Sequence, residues 1–83
     1  MLLNYVNLTT KEWSRSSVRL TNGDYKALCH IAKKFNKSPT SFVEDKRVEY
    51  EGMVQAMKKC KPINFTAYLR DQMFIILVEE IEK

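Results

Sequence analysis

Apolar and polar positions repeat with two different periods along this chain, and the change of period marks where its elements lie. In Arg15-Ser16-Ser17-Val18-Arg19-Leu20-Thr21 they alternate, which predicts a short strand with Val18 and Leu20 on one face and Arg15, Ser17 and Arg19 on the other. A lone strand leaves backbone donors and acceptors unpaired, so it requires a partner. Two partners are open. One is the same stretch of a second chain; the other is the segment Leu3 to Leu8, where Val6-Asn7-Leu8-Thr9 echoes Val18-Arg19-Leu20-Thr21. Residues 1–14 read as an N-terminal arm or a short extra strand, with Thr9 or Thr10 as a rival cap for a turn of helix through Trp13.

From Thr21 the period lengthens. Thr21-Asn22-Gly23-Asp24 has the spacing of a helix start, with a side-chain oxygen for the orphan amides and an acid in the first turn. Leu28, Ile31, Ala32 and Phe35 then fall at i, i+3, i+4 and i+7, leaving Lys26, Lys33 and Lys34 to solvent, and Asn36 suits a left-handed stop. Ser38-Pro39-Thr40-Ser41 starts a second helix, Ser38 capping and Pro39 in the first helical position. It reaches to about Cys60 with Phe42, Val43, Tyr50, Met53, Val54 and Met57 inward. The charged run Glu44-Asp45-Lys46-Arg47 interrupts that face and marks a bend or an early end as the alternative. After Lys61-Pro62, Asn64 or Thr66 caps a third helix with Tyr68, Leu69, Met73, Ile76, Leu77 and Ile81 inward; Phe74, Ile75 and Val78 make it apolar nearly all round.

Composition narrows the class. Eighty-three residues, 45% hydrophobic and 29% charged, suit one small domain that gains burial by self-association. The net charge of +4 is uneven: Lys11 to Arg47 holds nine Lys or Arg against four Asp or Glu, whereas Val48 to Lys83 holds five against six. The first half therefore carries a field of the sign that approaches phosphate, a sign that basic surfaces also adopt for solubility. Cys29 and Cys60 are too few and too far apart for a metal cluster or disulfide framework, and read as reduced thiols of a cytoplasmic protein. No secretory signal is expected at Met1-Leu2-Leu3-Asn4, and the longest apolar run, Met73 to Val78, falls far short of the ~20 residues a membrane span needs.

Two constellations carry candidate chemistry. A ribbon presenting Arg15, Ser17 and Arg19 is narrow enough for the DNA major groove, where Arg donates two parallel bonds to guanine and Ser meets a base or a phosphate; the bland reading is a solvated strand face. At the start of the second helix, free amides and the hydroxyls of Ser38, Thr40 and Ser41 converge beside Lys37 as a phosphate contact, with plain capping as the commoner role for Ser38. The single His30 sits mid-helix without the partners of a triad or a metal site, and no catalytic, metal or cofactor chemistry is expected.

Residues 15–50 resemble the ribbon-helix-helix family of DNA-binding proteins, the Arc and Met repressor type. The matching segments are Ser16-Ser17-Val18-Arg19-Leu20-Thr21, Tyr25-Lys26-Ala27-Leu28 through Phe35, and Lys37-Ser38-Pro39-Thr40-Ser41-Phe42-Val43. The chain departs from the family pattern at Glu44 to Arg47 and in having Asn36 where the turn often has Gly. The resemblance implies a mainly α fold with a ribbon-helix-helix core over residues 15–60, its strand pairing across a dimer; the additional C-terminal helix over 61–83, read from its own periodicity, lies outside the family pattern and is expected as an oligomer or partner interface. The resemblance also implies base contacts from Ser17, Arg19 and Arg15, a backbone clamp at the second helix, and a core of Val18, Leu20, Leu28, Ile31, Ala32 and Val43. The expected function is a homodimeric, sequence-specific duplex-DNA-binding protein, a transcriptional or plasmid-type regulator, neither an enzyme nor membrane-bound. The rival is a protein-interaction module, an antitoxin, inhibitor or phage-encoded adaptor, working through Phe74, Ile75 and Val78.

Overall fold

The computed structural model describes residues 1–9, 14–57 and 63–82. Thr10 to Trp13, Cys60 and Lys61-Pro62, on which a helical turn, a thiol and a break were expected, lie outside them. Among the described residues the order is β1 (Leu2–Val6), β2 (Arg15–Arg19), α1 (Asn22–Lys34), α2 (Pro39–Ala56) and α3 (Phe65–Glu82). The protein is therefore mainly helical, with an N-terminal antiparallel ribbon and a third helix after the pair.

The ribbon is a hairpin within one chain. β1 pairs with β2 in the register Leu2 to Arg19, Leu3 to Val18, Asn4 to Ser17, Tyr5 to Ser16 and Val6 to Arg15. Of the two partners open to β2, the structure takes the N-terminal segment; pairing across a dimer is not what satisfies this edge. The Met1 amino group donates to the Leu20 carbonyl at 2.7 Å, the Leu20 amide donates back to Met1 at 2.9 Å, and the Asn7 amide donates to Ser14 at 2.8 Å. These bonds fix the parity of the ladder. Leu3, Tyr5, Val18 and Leu20 turn inward and are buried.

The caps read for the three described helices form, Asn64 and not Thr66 capping the third. The Thr21 hydroxyl accepts from the Asp24 amide and the Asp24 carboxylate accepts from the Thr21 amide, both at 3.1 Å, a reciprocal capping box. At the other end of α1, Asn36 has φ 56°, and the Lys37 and Asn36 amides donate to Ala32 and Lys33, the paired bonds of a Schellman stop. Ser38 accepts from the Ser41 amide at 3.1 Å with Pro39 beginning the helix, and Asn64 accepts from the Ala67 amide at 2.8 Å.

α2 runs unbroken through Glu44 to Arg47, correcting the bend or early end placed there. The charged run is the seat of the hairpin and of α3. The Val6 amide donates to Glu44 Oε2 at 2.9 Å; Arg47 donates to the Tyr5 hydroxyl at 3.1 Å, pairs with Glu51 at 2.7 Å, and lies over the Phe65 and Tyr50 rings at 4.9 and 5.4 Å. Lys46 lies over Phe42 and pairs with Glu49. Charge at these positions is absorbed by aromatic faces and by an edge amide, so the apolar contact continues past it.

The core joins the hairpin to Leu28, Ile31, Ala32, Phe42, Val43, Phe65, Leu69 and Met73. All six core positions implied by the resemblance are buried, and Leu28, Ile31 and Val43 are fully so, each worth about 1.5–3 kcal/mol on burial. Of the expected inward residues, Tyr50, Met53, Val54, Tyr68, Ile76 and Leu77 are half-buried and three are exposed. Ile81 is 82% exposed because α3 outruns the elements that cover it, Phe35 is 49% exposed and stacks on Phe42 at the rim, and Met57 is exposed at the end of α2.

Candidate nucleic-acid interface

Strand alternation decides what the hairpin shows to solvent. With Leu3, Tyr5, Val18 and Leu20 committed to the core, the opposite face carries Leu2, Asn4 and Val6 from β1 and Arg19, Ser17 and Arg15 from β2. These face one another as non-hydrogen-bonded pairs, because the ladder bonds fall on the alternate positions; side chains approach most closely in such pairs. Arg15, Ser17, Arg19 and Asn4 are all exposed.

The two arginines differ from most other described cations. Lys34, Lys37, Lys46, Arg47 and Arg70 each pair with a carboxylate, whereas Arg15 and Arg19 have no carboxylate within pairing distance among the described residues. Lys26 and Lys33, exposed on α1, share that condition. The face consequently offers two unneutralised guanidinium groups four residues apart on one strand, about 14 Å at strand rise.

The hairpin's two edges are unlike. On β1 the outward Val6 amide is taken by Glu44, and α2 packs alongside. On β2 the amides of Arg15, Ser17 and Arg19 point away from β1, and among the described residues no further strand pairs with them. It is an open edge.

The start of α2 adjoins the exposed face. Asn4, Val6 and Arg15 share a cleft of about 130 Å³ with Thr40 and Glu44, so the second constellation lies next to the first. Its members are not equally placed. Thr40 is half-buried in the cleft wall, Ser38 is exposed with its oxygen accepting from Ser41, Ser41 is half-buried, and Lys37 is held by the Asp45 carboxylate. Glu44 puts a negative charge in the same cleft. Asn4 and Glu44 were missed in the sequence, although the alternation of Leu3, Tyr5 and Asn7 already assigns Asn4 to the outer face.

A second surface lies between α1 and α3. A groove of about 560 Å³ is lined by Ala27, Ala67, Met73, Phe74 and Leu77 with Asp24 and Arg70 at its head. Phe74 stands 66% exposed beside it; Ile75 is exposed and Val78 half-buried. Partial burial alone would raise the Asp24 carboxyl, but hydrogen bonds from the Thr21 amide and from Arg70 outweigh it and hold Asp24 below its usual range. His30 Nε2 sits 3.2 Å from Glu80 on an exposed face.

Among the described residues there is no cluster of His, Cys, Asp or Glu able to hold a metal ion, and no helix long and apolar enough to cross a membrane. Comparison of the chain with models of known families, with characterised proteins and with solved structures finds no match.

Proposed function

We propose that the chain is a sequence-specific duplex-DNA-binding protein, a transcriptional or plasmid-type regulator of ribbon-helix-helix kind, that lays the outer face of its hairpin in the major groove and acts by occupying its site. The observation that carries the reading is the pair of guanidinium groups, Arg15 and Arg19, on one exposed face of a two-stranded ribbon, neither with a carboxylate within pairing distance among the described residues. A ribbon of this kind fits a groove about 12 Å wide, and Arg is the commonest reader of guanine there. Thr40 lines the cleft beside that face and, with Ser38 and Ser41 in the same turn at the start of α2, would meet the flanking phosphate, Lys37 becoming available on release from Asp45. In a homodimer each copy would lay its own two-stranded hairpin over one half-site, so that neither ribbon outgrows the groove. We read the protein as a binding module and not as an enzyme.

Fluorescence anisotropy of Arg19→Ala tests the reading. The variant should lose affinity and sequence preference, while Lys33→Ala weakens binding slightly and equally on all sequences. Equal behaviour of the two variants would refute it.

A second reading is supported by Phe74 and Ile75, large apolar side chains exposed beside the α1–α3 groove, as a docking surface for a protein partner. Under it the wild type binds no duplex DNA even at low salt, and Phe74→Asp abolishes partner binding while the circular dichroism melt stays that of the wild type.

A further inference from the structure

We infer that β1 supplies a base reader of its own, Asn4, and that the preferred duplex carries adenine near the midpoint between two guanines about four base-pair steps apart. The inference rests on the DNA-binding reading and goes beyond it, because it follows from the hairpin being closed within one chain. The register sets Asn4 directly opposite Ser17, midway between Arg15 and Arg19, as a non-hydrogen-bonded pair on the exposed face. Asn4 is exposed, and its carboxamide has no hydrogen-bond partner among the described residues. A carboxamide donates and accepts at once, which matches N6 and N7 of adenine in the major groove and no other base edge there as well.

Spacing fixes the order of the bases. Arg15 and Arg19 are separated by about 14 Å along β2, and stacked bases rise about 3.4 Å each, so the guanidinium groups span about four steps. The central position falls to Asn4 and Ser17, of which only Asn4 is able to make the bidentate contact. Leu2 and Val6 complete the face opposite Arg19 and Arg15; apolar side chains there suit thymine methyl groups in the steps next to the guanines.

The test is selection of bound duplexes from a randomised pool by the full chain, and by Asn4→Ala, Arg15→Ala and Arg19→Ala. The wild type should enrich adenine flanked by guanines at the stated spacing. Asn4→Ala should keep the guanines and lose the adenine preference by on the order of tenfold, the size of one good bidentate contact; each Arg variant should lose one guanine. Asn4 is exposed and outside the core, and a circular dichroism melt matching the wild type verifies that Asn4→Ala folds. Guanine enrichment in which Asn4→Ala alters nothing overturns the inference and leaves the DNA reading standing. No enrichment by the wild type overturns both.

Discussion

Replacing Arg47 by alanine should unfold the contact between hairpin, α2 and α3 more than any other single surface change. Its guanidinium donates to the buried Tyr5 ring's hydroxyl at 3.1 Å and pairs with Glu51 at 2.7 Å. The first contact is worth about 1 kcal/mol net, the second about 0.3–0.5 as a helical i,i+4 pair. Stacking over Phe65 and Tyr50 at 4.9 and 5.4 Å adds about 0.5–1 kcal/mol each. Against these stands Arg47 Nε, buried without a hydrogen-bond partner, which costs about 1 kcal/mol. The balance is a loss of about 2 kcal/mol, or a fall in Tm of roughly 8–16 °C for a domain of this size. Arg47→Met keeps the stem against the rings and removes the orphan donor, so it should recover about half of the loss. Urea denaturation followed by circular dichroism measures both. Arg47→Ala within 0.5 kcal/mol of wild type would refute the claim that the charged run seats the hairpin.

Glu44→Gln keeps an acceptor for the Val6 amide and removes the negative charge beside Arg15, so under the DNA reading it should tighten binding several-fold at low salt with little change in stability; unchanged affinity in an anisotropy titration would contradict this. Asn36→Gly should stabilise the protein by about 0.5 kcal/mol, since φ 56° carries no steric cost in glycine, and Asn36→Val should destabilise it; thermal melts read both. Because the Asp24 carboxyl is lower in the folded than in the unfolded chain, its contribution is present above the unfolded value near 4 and is lost as pH falls through the folded one. Acid denaturation of Asp24→Asn should therefore show a shallower loss of stability below about pH 4 than the wild type, and identical curves would contradict the assignment.

The signals that were local were legible in the sequence. Thr21 with Asp24, Asn36, Ser38 with Pro39, and Asn64 each act on backbone groups a few residues away, and each does what its chemistry dictates. The alternation at Arg15 to Leu20 likewise chose the buried face correctly. What needed the fold was long-range. Glu44 to Arg47 pointed to a bend or an early end because the partners of Glu44 and Arg47, namely Val6, Tyr5 and Phe65, lie far along the chain. The periodicity that put Ile81 and Phe35 inward gives a face but not the length of the elements that cover it. The partner of β2 was undecided for a related reason: parity assigns faces, but not which strand lies alongside. Asn4 went unnoticed since its place between Arg15 and Arg19 appears only when β1 is set opposite β2.

The most direct test of the central claim is the salt dependence of duplex-DNA affinity, measured by anisotropy for the wild type and for Arg15→Ala/Arg19→Ala. The account predicts tight wild-type binding that survives competitor DNA and falls steeply with salt, and a double variant that keeps most of the salt slope but no longer prefers one sequence over competitor DNA, because the base readers are gone and the phosphate contacts remain. No wild-type binding at low salt, or a sequence preference unchanged by removing both arginines, would contradict it.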